Sequence, residues 1–186
     1  MHLTWRDVAP GDGVTPIATS VLEAEAAELA SLAEGRRVLE IGSAHGFSAV
    51  TMALAGAGHV TAIDNHAGNT WLGDTRAIMQ RNLDAAGVAD KVTIVQADSR
   101  AGLAALGEQG AKFGLIFIDG DHSFAGATAD IGGALPLLDM GAVLAVHDYA
   151  ETCCCPEVRV AVDAVAGLMP SEAPARVVGT LWLKQF

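Results

Sequence analysis

Val38-Leu39-Glu40-Ile41-Gly42-Ser43-Ala44-His45-Gly46-Phe47-Ser48 decides the fold class of this 186-residue chain. A short apolar run ends in a glycine, and a second glycine follows four residues later. Glycines at such a place let the backbone turn sharply and let a ligand come close to it. The stretch therefore reads as a strand passing through a tight turn into a helix. A dinucleotide-binding turn would carry G-x-G-x-x-G, its middle glycine making room for pyrophosphate. Ala44 stands at that middle position, so no phosphate needs to fit here. A P-loop is excluded as well, because no Gly-Lys-Ser/Thr follows. From the loop alone, an ordinary glycine turn in an α/β protein stays open as the alternative.

Outward from this turn, five β-rich runs recur: Arg37–Ile41, His59–Asp64, 91–96, 113–119 and 141–147. They are mostly continuous apolar runs, as strands covered on both faces should be. Helical patterns separate them. The first, 17–33, carries Ala18, Leu22, Ala26, Leu29 and Ala33 at helical spacing, widened by Val21 and Leu32. Others fall at 47–55, 75–86, 100–108 and 126–137. The last starts near Pro156, with Val158, Val162, Val165 and Leu168 on one stripe; Pro156 and Glu157 suit a first helical turn. Strand and helix alternating at this spacing predict βαβ units with right-handed crossovers. The fold class is thus α/β, a doubly wound and mostly parallel sheet with helices on both faces. Residues 175–186 read as one or two further strands around Gly179-Thr180. No linker or repeat divides the chain, so 1–186 is expected to be one domain, with 1–34 a helical segment on the substrate side. Ligands of such sheets bind at the carboxyl ends of the strands.

Hydrophobic residues make up 51% and charged residues 18%, which excludes overall disorder. Acids outnumber bases 22 to 11, a net charge of −11. That field repels nucleic acid and an anionic membrane surface, and it favours a cationic small molecule. The first residues show no apolar signal core, and the most apolar stretch, 134–146, contains Pro136 and Asp139 and is far short of the ~20 residues that span a bilayer. Cys153-Cys154-Cys155 are consecutive, which is no disulfide framework. A cytoplasmic protein is the expectation.

The residues just after each strand carry the chemistry. Asp64 lies 22 residues beyond Gly42, where an acid can accept both hydroxyls of a ribose, although a strand-end Asp also serves as a cap or turn residue. Asp98 can accept from an adenine amino group or cap the helix that follows; both readings stay open. Ile118-Asp119-Gly120-Asp121-His122-Ser123 and Val146-His147-Asp148-Tyr149 end adjacent strands. Asp119, His122, His147 and Asp148 together make a constellation capable of metal binding or proton transfer, while Asp121 and Ser123 are expected to cap the next helix. The cysteine run is expected to line the substrate entrance. His45 is expected near the ligand without a catalytic role, and His2, His59 and His66 as surface or strand-end residues. Trp5, Trp71 and Tyr149 are candidate substrate contacts. Trp182 reads as core or dimer interface.

Taken together, Glu40-x-Gly42-x-x-x-Gly46-x-Ser48, Asp64, Arg81-Asn82-Leu83-x-x-Ala86-Gly87-Val88-Ala89-Asp90-Lys91-Val92 and Ala97-Asp98-Ser99 resemble the class I S-adenosylmethionine-dependent methyltransferases, from about residue 35 to the end. The resemblance implies the Rossmann-like methyltransferase fold and S-adenosylmethionine as cofactor. Glu40, Gly42, Ser43 and Gly46 would surround its methionine part, Asp64 the ribose, Asp98 and Ser99 the adenine, with Asp119 also in the cofactor set. The later loops look like those of small-molecule O-methyltransferases of the macrolide-sugar type. These carry Asp-Gly-x-His after the fourth strand and an acidic pair after the fifth; the acids bind Mg²⁺ and the His is the base. Asp119 and His122 match the first motif. The second departs, with His147 in place of an acid and only Asp148 kept. Mg²⁺ prefers oxygen ligands, so the change points to a transition metal at Asp119, His147 and Asp148, or to no metal.

The implied activity is methyl transfer to a small-molecule acceptor, at a hydroxyl oxygen. His122 is the expected base, an imidazole near pKa ~6.5 being poised at neutral pH, and His147 its competitor. The alternatives are a non-catalytic cofactor- or metal-binding module and an NAD-dependent oxidoreductase, against which Ala44 speaks. A chain this short leaves little room for a substrate domain, so either the acceptor is small or a second copy in a homodimer completes the site.

Overall fold

In the computed structural model, described over residues 4–6 (backbone alone), 17–67, 75–151 and 155–186, the apolar runs pair into one sheet. Its strands are β3 (Arg37–Ile41), β4 (His59–Asp64), β5 (Val92–Gln96), β6 (Phe113–Ile118), β7 (Leu138–Val146), β8 (Arg176–Val178) and β9 (Leu181–Gln185), in the order β5-β4-β3-β6-β7-β9-β8. The first five are mutually parallel, and β9 runs antiparallel to β7 and to β8. The strand order reverses between β3 and β6, and a sheet that reverses in this way opens a crevice at the carboxyl ends there.

Continuous apolar strands are buried on both faces by six helices: α1 (Glu23–Ala33), α2 (Phe47–Leu54), α3 (Thr75–Ala85), α4 (Ser99–Glu108), α5 (Phe124–Ala134) and α6 (Pro156–Ala166). Side chains alternate along β6, so Leu115 and Phe117 join a core with Leu29, Met52 and Met79 of α1, α2 and α3. Ile116 and Ile118 face the other way, into a core with Leu103, Ile131 and Val162 of α4, α5 and α6. No helix among the described residues is long and apolar enough to cross a membrane.

Four expectations are corrected. The helix expected over 17–33 begins only at Glu23, because Ile17–Thr19 form β2, paired antiparallel with β1 (Thr4–Arg6). Thr19 Oγ1 then accepts the Val21 N–H, and Glu25 Oε2 accepts the Leu22 N–H, which turns the chain into α1. Residues 1–34 are therefore not a helical segment throughout. Next, the helix expected over 126–137 starts at Phe124 and stops at Ala134, where Pro136 forces a 3₁₀ turn, Leu135–Leu137. Lastly, α6 ends before Gly167, which leaves Leu168 82% exposed rather than on the apolar stripe. Trp182, at 4% exposure, belongs to the second core. His2, Trp71, Cys153, Cys154 and the side chain of Trp5 lie outside the described residues.

Candidate active site

The carboxyl ends of β3, β4, β5 and β6 border a cleft of about 620 Å³, within the range of cofactor sites. Gly42, at φ +85°, turns the chain out of β3, and its N–H donates to the Ile63 carbonyl. A Cβ at Gly42 would stand 2.0 Å from the Asp119 carbonyl oxygen. The glycine is thus demanded by the neighbouring strand end as well as by the turn. Gly46, at φ +84°, faces Met79 and lies off the cleft wall. The Asn82 amide reaches across to the His45 carbonyl at 2.8 Å, which ties α3 to this loop.

Asp64 organises the loop from the side of β4. Its Oδ2 accepts the Ala44 N–H at 2.8 Å and its Oδ1 the His66 N–H at 2.7 Å. Each oxygen keeps a lone pair, and the residue lines the cleft. His66 is a correction: its ring is buried and its Nδ1 lies 3.0 Å from Thr75 Oγ1, far from a surface role. Glu40 does not reach the cleft. It lies fully buried behind it and accepts from Ser48, which does line the cleft. Burial, with the charges of Asp119 and Asp64 adding to it, pushes the Glu40 carboxyl up to about 8, so it is a neutral acid at pH 7.

On the opposite wall, Asp98 caps α4 by accepting the Arg100 N–H at 3.0 Å and also lines the cleft, so its two readings coexist. Ser99 Oγ donates to Asp130 Oδ1 at 2.5 Å. Asp130 is almost wholly buried, and burial raises its carboxyl. Asp121 and Ser123 do cap α5: Asp121 accepts the Ser123 N–H, and Ser123 Oγ the Gly126 N–H.

The loops after β6 and β7 bring the four remaining residues together. His122 Nε2 lies 3.3 Å from Asp119 Oδ1 and 3.0 Å from Asp148 Oδ2. His147 Nδ1 lies 3.3 Å from Asp119 Oδ1 and 3.6 Å from Asp148 Oδ1. The two histidines differ in access. The His122 side chain is 30% exposed and lines the cleft, whereas His147, at 3%, lies behind Asp119 and does not. As a competing base His147 therefore lacks a path to an acceptor. Hydrogen bonds that its N–H donates to Asp119 and Asp148 hold His122 up at about 10, which corrects the expectation of an imidazole near its ordinary value. Burial pushes His147 down, but the Asp119 charge and the Glu25 and Asp119 hydrogen bonds outweigh it and lift the group to about 11. Asp119 is pushed up by burial and pulled further down by both imidazoles, to about 2.

Glu25 was missed. It sits fully buried on α1, its Oε2 3.0 Å from His147 Nε2, its Oε1 accepting the Thr180 N–H at 2.6 Å and the Thr180 hydroxyl at 2.9 Å. Its signal was present: Glu25 lies four residues before Leu29, inside the apolar stripe. Asp130, between Ala127 and Ile131 on α5, carries the same signal. Cys155 also stands near, with a ligand atom within 4.8 Å of those of His122 and Asp148.

The family model of the methyltransferase domain matches residues 39–149. No curated protein matches the chain. Among solved structures, cofactor-bound Rv0187 from MTB aligns with 88% of this chain and 80% of its own, at 29% identity and a TM-score of 0.71. An O-methyltransferase from Bacillus cereus in complex with SAH covers the same shares at 21% identity and a TM-score of 0.70. TomG from Streptomyces achromogenes, an O-methyltransferase of tomaymycin synthesis solved with SAM, does so at 24% and 0.68. The last two likenesses speak for the fold alone.

Proposed function

Because the chain belongs to the methyltransferase domain family, we propose that it transfers a methyl group from S-adenosylmethionine to a hydroxyl oxygen of a small-molecule acceptor. The observation that carries this reading is the charge of the cleft. Asp64, Asp98, Asp119, Asp121 and Asp130 line it, with Arg100 and the protonated His122 as their basic counterparts. Such a wall suits a ligand bearing a sulfonium and an ammonium. Ser43 adds a buried hydroxyl oxygen on the cleft wall with no hydrogen-bond partner among the described residues, a group that a ligand would satisfy.

When bound, S-adenosylmethionine supplies the electrophilic methyl group. The protein's own part is to hold and orient. Asp64 has acceptor capacity left for ribose hydroxyls, Asp98 and Ser99 border the adenine side, and the 42–48 turn borders the methionine side. Alignment of nucleophile and methyl is the main lever in a displacement of this kind. The His122 imidazole, at the end of the cleft, takes the acceptor's proton on Nδ1, while its Nε2–H donates to Asp119 and Asp148, which hold the ring in place. With its own proton held up to about 10, His122 is neutral in only about one molecule in 10³ at pH 7. Deprotonation then becomes easier as pH rises.

The test is calorimetric titration with S-adenosylhomocysteine and, separately, with NAD, followed by a turnover assay with labelled methyl donor over phenols, sugar hydroxyls and amines. Binding of S-adenosylhomocysteine with methylation of a hydroxyl supports the reading. Binding of NAD alone overturns it, and methylation confined to amines overturns the hydroxyl assignment.

A further inference from the structure

Asp130 is an acid where α5 calls for an apolar residue. It stands on the buried stripe between Ala127 and Ile131 and is only 1% exposed. Burying an acid is costly, so the bonds it makes tell what it is there for. Its Oδ1 takes the Ser99 hydroxyl proton at 2.5 Å. Its Oδ2 is sealed from solvent against the turn after β6, where a Cβ on Gly120 would stand 2.9 Å from it. What this acid does for a ligand it therefore does through Ser99, whose side chain borders the cleft.

A serine hydroxyl has a single proton to give and two lone pairs to accept with. With that proton spent on Asp130, Ser99 faces the cleft as an acceptor alone. Asp98 beside it is an acceptor too, holding the Arg100 N–H on Oδ1. Of the side chains at 98–100 and 130, only the Arg100 guanidinium is left to donate to a ligand. An aromatic amino group, which brings N–H donors, complements such a wall. A ring carbonyl in its place sets oxygen against oxygen, and a site built around one hydrogen-bonding polarity rejects the other.

We propose that Asp130 is a positioning residue that, by claiming the Ser99 proton, makes the cleft select a 6-aminopurine over a 6-oxopurine. That a purine lies on this side of the cleft rests on the methyl-transfer reading; the polarity of Ser99 does not.

Calorimetry on the full chain at pH 8 compares S-adenosylhomocysteine with S-inosylhomocysteine, in which a carbonyl replaces the 6-amino group. The wild type should bind the adenosyl ligand about 10–100-fold more tightly. Asp130→Leu fits the apolar stripe at nearly the same size and leaves the Ser99 proton free to turn to the cleft. The preference should then fall at least about tenfold, with the inosyl ligand binding more tightly than it does to the wild type. Asp130→Ala serves if the leucine variant fails to fold, since it releases the same proton. Ser99→Ala removes the acceptor itself and should also narrow the preference, by weakening the adenosyl ligand. A residue that merely supports the fold would weaken both ligands alike and leave their ratio unchanged. An unchanged ratio in a folded Asp130 variant or in Ser99→Ala, or equal affinities in the wild type, overturns the inference and leaves methyl transfer standing. Failure of both ligands to bind the folded wild type overturns the methyl-transfer reading, and the inference with it.

Discussion

Glu25 Oε2 and His147 Nε2 meet at 3.0 Å across 122 residues of sequence, and neither side chain is open to solvent. The same carboxylate accepts the N–H groups of Leu22 and Thr180, so α1, the end of β7 and the turn before β9 share one acceptor.

Glu25→Ala would strip all of these donors of their partner at once. Breaking a buried ion pair from one side costs about 3–5 kcal/mol, and urea denaturation of the metal-free protein should show a loss of that order. In the double variant with His147→Ala the losses should fall short of additive, since the two residues act on each other. Strictly additive losses would show that the pair is not a unit.

Glu40 and the two histidines make stability fall as the solution turns alkaline. Glu40 keeps its proton to about 8 when folded but loses it near 4.5 when unfolded, so stability declines between those values as the unfolded chain ionises first. His122 and His147, raised to about 10 and about 11, contribute stability that is fully present below about 6.5 and is lost as pH rises through the raised values. In the presence of chelator, Tm should drop steadily from about pH 6 to about pH 9. Glu40→Gln should flatten the lower part of that slope and leave the upper part. A Tm that climbs over this range would contradict both assignments. Asp119, lowered to about 2, acts only on the acid side, where its contribution is lost below its ordinary value of 3.8.

Gly42→Ala should cripple folding. Left-handed backbone strain alone costs roughly 1–3 kcal/mol, and the added Cβ would overlap the Asp119 carbonyl at 2.0 Å. Gly132→Ala is the contrast. This glycine lies inside α5 with nothing within 4 Å of an added Cβ, so the change should stabilise by about 0.5–1 kcal/mol. Denaturation midpoints moving in the same direction for both would refute the explanation.

Asp64→Ala should weaken S-adenosylhomocysteine binding at least about tenfold, the worth of a lost hydrogen bond to a charged acceptor. The Ala44 and His66 amides lose their acceptor too, so a modest drop in Tm should accompany it. An unchanged Kd would mean that the ribose is bound elsewhere.

His122→Ala should cut turnover at least about 10²-fold near neutral pH. Wild-type turnover should rise from pH 7 toward the raised value of about 10 as the imidazole loses its proton. The deficit of the variant should narrow at high pH, where the acceptor ionises unaided. A flat wild-type profile would remove His122 as the base.

The parallel sheet was legible because its strands are continuous apolar runs, and each of β3 to β7 was found within a few residues. Asp64, Asp119 and His122 were legible for a related reason: in this topology the residue after a strand faces the crevice. Glu25 and Asp130 were not, because an acid on an apolar helix stripe looks like a lapse in the pattern until its partner is known. That partner, 122 residues away for Glu25 and 31 for Asp130, is a tertiary fact. Ile17–Thr19 escaped for the same reason. Three residues hold too little local preference to oppose a helical stripe, and their strand exists through pairing with Thr4–Arg6.

The contact between Glu25 and Thr180 spans 155 residues, nearly the whole chain. Loops of that length close late, after the short-range β–α–β contacts have formed. The β–α–β contacts of β3 to β6 should therefore form before the pairing of β9 with β7 that brings Thr180 to Glu25. In refolding, far-ultraviolet signals should recover before the fluorescence of Trp182, which lies in β9.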